Sequence, residues 1–155
     1  MRSSGGLEDM KRRILTLDAN VFVAALKADE KYSEKCAEIL RKVPDLFILT
    51  EPSIVYQEVC GTLARKVGLE LARKAERYLD LMLHPKLVFE CDSRFCKAAY
   101  TLCSDYNVYS VDALYLKVAL DVGAVLVSLD GRDFIDRVKR KNPPIEVYHV
   151  SEFPY

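Results

Sequence analysis

Ala124-Val125-Leu126-Val127-Ser128-Leu129-Asp130-Gly131 decides the architecture. The run follows Gly123 with no charge until Asp130, the pattern of a short strand buried on both faces. The same pattern occurs from Arg13 to Leu17, which ends at Asp18, and at Leu46-Phe47-Ile48-Leu49, bounded by Pro44 and Pro52. Lys86 to Phe89 and Ile145 to Val150 read as two further strands. Helical spacing fills the intervals. One helix starts at Asn20 and runs to about Lys27, and a second, capped by Ser33, runs to about Val43. From Ser53 to about Val67 a stripe of Ile54, Val55, Val59, Thr62 and Leu63 marks a third. Gly68 ends it, and a charged amphipathic helix follows to about Leu83. Asp92 caps a helix to about Tyr106, Tyr109-Ser110 opens one closed by Gly123, and a short one spans Phe134 to Arg140. Strands alternating with helices require crossover connections. The expected fold is therefore α/β, a three-layer α/β/α sandwich around a central parallel sheet. Ligands of such sheets bind beyond the carboxyl ends of the strands.

The 155 residues suit one domain, with 50% hydrophobic and 30% charged residues excluding a disordered chain. Residues 1–10 read as a flexible leader and 11–155 as the domain. No apolar run approaches the roughly 18 residues that a membrane-spanning helix needs. Lys+Arg and Asp+Glu are both 23, so binding to a polyanion would require local basic patches or metal ions rather than net charge. The five cysteines lack C-x-x-C spacing, and no signal-peptide core is present, which points to free thiols and a cytoplasmic location. Cys96 and Cys103 read as small buried hydrophobes. His84 and His149 are too few and too distant to build a zinc site.

Four acids stand where the fold would gather them. Asp18 and Asp130 directly follow strands, although each also suits a helix cap or an Asp-Gly turn. Glu58 lies on or beside the apolar stripe of its helix, where a carboxylate must be paired, protonated or bound to a metal. Asp112 occupies the first turn of a helix, a position that the helix dipole alone can explain. Gathered at one sheet edge, carboxylates about 4 Å apart repel by roughly 4 kcal/mol per pair at an effective dielectric near 20. Such a group calls for a cation, and oxygen-only ligation favours Mg²⁺ or Mn²⁺ over zinc.

In this order the segments Leu17-Asp18-Ala19-Asn20-Val21-Phe22, Ser53-Ile54-Val55-Tyr56-Gln57-Glu58-Val59, Val111-Asp112-Ala113-Leu114-Tyr115-Leu116 and Leu126-Val127-Ser128-Leu129-Asp130 resemble those of PIN-domain (PilT N-terminus) nucleases. The acids are 40, 54 and 18 residues apart, and the size resembles that of VapC-type toxin ribonucleases. Each segment is degenerate, and the resemblance resides in the set. It implies a catalytic metal site of Asp18, Glu58, Asp112 and Asp130 holding one or two Mg²⁺ or Mn²⁺ ions. Asn20 and Ser128 would orient carboxylates from behind, and Asp133 stands in reserve for Asp130. The implied activity is endoribonuclease hydrolysis leaving 5′-phosphate and 3′-hydroxyl ends, in a toxin–antitoxin pair or in RNA processing. RNA, an antitoxin protein and a second copy of the chain are the implied partners.

Among basic residues, Arg132, Arg137, Lys139 and Arg140 follow Asp130 and are the preferred phosphate contacts. Arg65, Lys66, Arg73, Lys74 and Arg77 read as a solvated helix face. A competing class is the phospho-receiver signalling domain, which also binds Mg²⁺ among acids. It usually has paired acids at the first strand end and a lysine after the last, and Leu17-Asp18-Ala19 offers one acid.

Overall fold

A computed structural model describes residues 12–155, so the expected leader at 1–10 lies outside the described residues. Strand β1 (Arg13–Leu17) is one of the two inner strands of a four-stranded sheet, with the edge strand β2 (Phe47–Leu49) on one side and the inner strand β5 (Val125–Ser128) on the other. β6 (Val147–His149) is the outer strand beside β5. Every pairing is parallel, with Leu15 opposite both Leu49 and Val125. Consecutive residues Leu15, Thr16 and Leu17 are all fully buried, because both faces of the sheet are covered.

Helices α1 (Ala19–Leu26), α2 (Ser33–Arg41), α3 (Ile54–Lys66) and α4 (Leu69–Met82) pack into one group. Helices α5 (Ser93–Ala99), α6 (Thr101–Tyr106) and α7 (Ser110–Val122) form the other. The three-layer α/β expectation holds. Gly123 ends α7 at φ 78°, a conformation in which a Cβ would be strained, and so drops the chain directly into β5.

The differences lie at element ends. The chain leaves β1's side after Thr50, whose N–H donates to Leu15 O while its Oγ1 donates to Leu87 O. The next two residues, β3 (Glu51–Pro52), pair instead with β4 (Val88–Phe89), so the strand expected from Lys86 is shortened by a 3₁₀ turn at Pro85–Leu87. The expected helix from Asp92 breaks at Tyr100, and the one expected at Phe134 is preceded by a π-turn over Gly131–Ile135. The residue preceding α2 is Tyr32, left-handed at φ 65°, and no side chain caps that helix. The last strand is shorter than expected, because Val150–Glu152 forms a 3₁₀ turn. Cys96 is exposed rather than buried, since α5 turns it away from the core; all five cysteines are free.

Candidate active site

At the carboxyl ends of β1 and β5 a cleft of about 530 Å³ opens, lined by Asp18, Glu58, Asp112 and Asp130 together with Asn20 and residues of α1, the α1–α2 loop and α3. Asp18 caps α1. Its Oδ1 accepts the Ala19 N–H at 2.8 Å, and its Oδ2 accepts the Ser128 hydroxyl at 2.7 Å and Asn20 Nδ2 at 3.3 Å. Ser128 Oγ in turn accepts the Asp130 N–H at 3.0 Å, and Asn20 Oδ1 accepts the Leu129 N–H at 3.1 Å. Two small polar residues thus tie the β1 turn to the β5 turn. Asn20 and Ser128 both hydrogen-bond the Asp18 carboxylate, which also caps α1 while lining the cleft.

Glu58 projects from α3 and accepts the Tyr115 hydroxyl of α7 at 2.8 Å, joining the two helical groups across the sheet edge. Tyr115 is wholly buried, and its hydroxyl is pushed up by burial first and by Glu58 next, so it remains a donor. Asp130 Oδ1 accepts the Asp133 N–H at 3.1 Å, which starts the π-turn. Asp133 does not line the cleft; its carboxylate faces Arg137 Nη2 at 3.1 Å.

The electrostatics identify the cleft as short of positive charge. Burial, then Glu58 and Asp130, push the Asp18 carboxyl up to about 6 against its bonds to Ser128 and Ala19. Burial, then Asp18, Asp130 and Glu58, push Asp112 up to about 7. Asp18 and Asp112 thus both feel the charges of Glu58 and Asp130, and among the described residues no group of three or more His, Cys, Asp or Glu side chains is arranged to hold a metal ion. Like-charge repulsion opposes bringing carboxylates together, and a hard cation would relieve it. Five carboxylates, the four acids and Glu30, with no histidine or thiol on the cleft wall, fit Mg²⁺ or Mn²⁺ chemistry.

The basic residues are arranged otherwise than expected. Arg132 is 90% exposed and 3.5 Å from Asp133, Arg137 is tied to Asp133 and to Asn107 O, Lys139 faces Glu152 at 3.6 Å, and Arg140 is exposed. None of the four lines the cleft, whereas Lys31 and Lys66 do. Lys66 belongs to the cluster set aside as a solvated face; packing of α3 beside α1 brings it to the wall.

Glu51 escaped the sequence reading altogether. It is fully buried, and its Oε2 accepts the Leu17 N–H at 2.7 Å, the ladder donor that β2 leaves unserved when it turns away. Its Oε1 has no partner among the described residues, and burial holds its pKa well above the carboxylate range.

The PIN domain model matches residues 15–141. This chain belongs to the PIN domain family. Among solved structures, it resembles Mycobacterium tuberculosis VapC20, described as a Sarcin-Ricin loop cleaving toxin, at 18% identity and a TM-score of 0.64, covering 77% of this chain and 91% of that one. It also resembles FitAcB from Neisseria gonorrhoeae at 16% identity and 0.63, covering 90% and 99%. DNA-bound VapBC from Salmonella typhimurium is similar at 14% and 0.60, covering 90% and 99%. No curated protein matches the chain significantly. At these identities the likeness establishes the PIN fold. Among the described residues no helix is long and apolar enough to cross a membrane.

Proposed function

We propose that this PIN domain is a metal-dependent endoribonuclease, the toxin of a toxin–antitoxin pair, acting through Asp18, Glu58, Asp112 and Asp130. The observation that supports it is the convergence of these four acids, from four separate stretches of chain, on one cleft at the carboxyl edge of the sheet. One or two Mg²⁺ or Mn²⁺ ions held by these carboxylates would supply positive charge against the scissile phosphate and acidify water for in-line attack. Ser128 and Asn20 fix the direction of Asp18, and the Tyr115 hydroxyl fixes that of Glu58. Lys31 and Lys66 on the wall bind flanking phosphates, with exposed Arg132 and Arg140 extending the path and Arg137 and Lys139 supporting it. Asp133 acts through Arg137 and the Asp130 turn.

The partner proposed is an antitoxin, and a second copy of the chain completes the assembly. An apolar groove of about 450 Å³ between α1, α2 and α4 suits an apolar helix of the antitoxin. Purified protein is expected to cleave RNA with Mg²⁺ or Mn²⁺ and to stop on chelation. Asp18→Asn should lower the rate by more than ~100-fold, since even residues supporting a metal ligand are worth 10–100-fold. Cleavage that persists in EDTA refutes the reading.

A further inference from the structure

His149 lies on β6 opposite Ser128 of β5, and its ring reaches the turn that carries Asp130. Nδ1 accepts the Ser151 N–H at 3.1 Å and lies 2.8 Å from Ser151 Oγ. A nitrogen that accepts an amide N–H carries a lone pair, so in the neutral ring the proton sits on Nε2. Nε2–H therefore donates to Leu129 O, 3.1 Å away. That carbonyl belongs to the peptide whose N–H, on Asp130, donates to Ser128 Oγ. The Leu129–Asp130 peptide is gripped from both sides, by Ser128 at its nitrogen and by His149 at its oxygen. The ring is confined as well. Tyr32, on the cleft wall, meets it edge to face at 5.4 Å between centroids, and a Cβ added at Gly131 would stand 3.7 Å from its Cδ2.

We propose that His149 is a positioning residue of the acid cleft: by holding the Leu129 carbonyl it sets the plane of the peptide that aims the Asp130 carboxylate. The inference rests on the reading of the cleft as a metal site. Asn20 and Ser128 tie Asp130 to Asp18, and His149 adds an anchor from a strand that follows all four acids in the chain. Rotation of the peptide about its Ser128 bond is what the second anchor prevents.

Paired variants separate positioning from simple bracing of β6. In His149→Gln the side-chain amide nitrogen can occupy the place of Nε2 and keep the bond to Leu129 O. In His149→Asn the side chain is too short to reach it but can still serve Ser151. The readouts are Mn²⁺ affinity of the protein alone, by electron paramagnetic resonance titration, the kcat and KM for an oligoribonucleotide, and Tm. His149→Asn is expected to weaken Mn²⁺ binding about 10- to 100-fold and to lower kcat, with KM within about two-fold, as for residues that orient metal ligands. His149→Gln should stay within about three-fold of wild type. Wild-type Mn²⁺ affinity in His149→Asn overturns the positioning role, as does an equal loss in both variants that follows Tm. A wild-type protein that neither binds Mn²⁺ nor cleaves RNA overturns the metal-site reading itself.

Discussion

Helix α1 separates two surfaces of opposite character. Asn20, Val23 and Ala24 face the acid cleft, and Phe22, Ala25 and Leu26 face the apolar groove against α2 and α4. The cleft is unstable in charge, with carboxylates held above their ordinary range by burial and by one another. The groove is unstable in hydration, with Leu81 83% exposed and Tyr78 46% exposed at its edge. On the proposed function, one surface would gain by acquiring a cation and the other by losing water to a partner. Eight residues with one polar side chain, Asn20, serve both, because that polar residue sits in the first turn, where it faces the strand ends.

The largest effect that would break this contrast lies in the cleft. Asp18→Asn removes a buried charge, so it should raise the Tm of the metal-free protein while abolishing RNA cleavage. Calorimetry and a cleavage assay on the same sample check both, and a fall in Tm with activity retained would place Asp18 among ordinary caps.

Next in size is the pH dependence of stability without divalent ions. Carboxyls whose folded pKa is raised keep protons that the unfolded chain has released. The native state then binds more protons, and stability falls as pH rises through the folded values of about 6 and 7. Asp18 alone, moved from 3.8 to about 6, corresponds to on the order of 3 kcal/mol at 1.36 per pH unit. Denaturant unfolding should show lower stability at pH 8 than at pH 5, and millimolar Mg²⁺ should restore most of the difference at pH 8.

Glu51 gives a smaller, two-sided effect. Glu51→Gln keeps an oxygen for the Leu17 N–H and removes the ionisable group, so it should make stability less dependent on pH above pH 7 in denaturant unfolding. Glu51→Leu strands that N–H and should destabilise by about 1–3 kcal/mol. The smallest effect belongs to the groove. Leu81→Lys should change the stability of the free chain by less than about 0.5 kcal/mol and leave cleavage unaltered, while weakening antitoxin binding. A large loss of stability there would show that the groove is packed core.

The parts that were legible in the sequence are those governed by local signals. Apolar runs ending at Asp18 and Asp130 declare strand ends, and an acid beside the α3 stripe declares Glu58. What was illegible depends on contacts between distant segments. Glu51 serves an amide 34 residues earlier, a need created only when β2 turns away after Thr50. Lys66 looks like any charged helix residue until α3 is packed beside α1. His149 was weighed only as a zinc ligand and set aside, yet parallel pairing sets it opposite Ser128. The break at Tyr100 has no proline or glycine to announce it.

The most direct test of a cation gathering Asp18, Glu58, Asp112 and Asp130 is anomalous scattering from crystals soaked in Mn²⁺. An anomalous peak among those four carboxylates, lost in Asp18→Asn crystals, is the expected result. A cleft without a peak at saturating Mn²⁺, or a peak bound elsewhere on the surface, would contradict it.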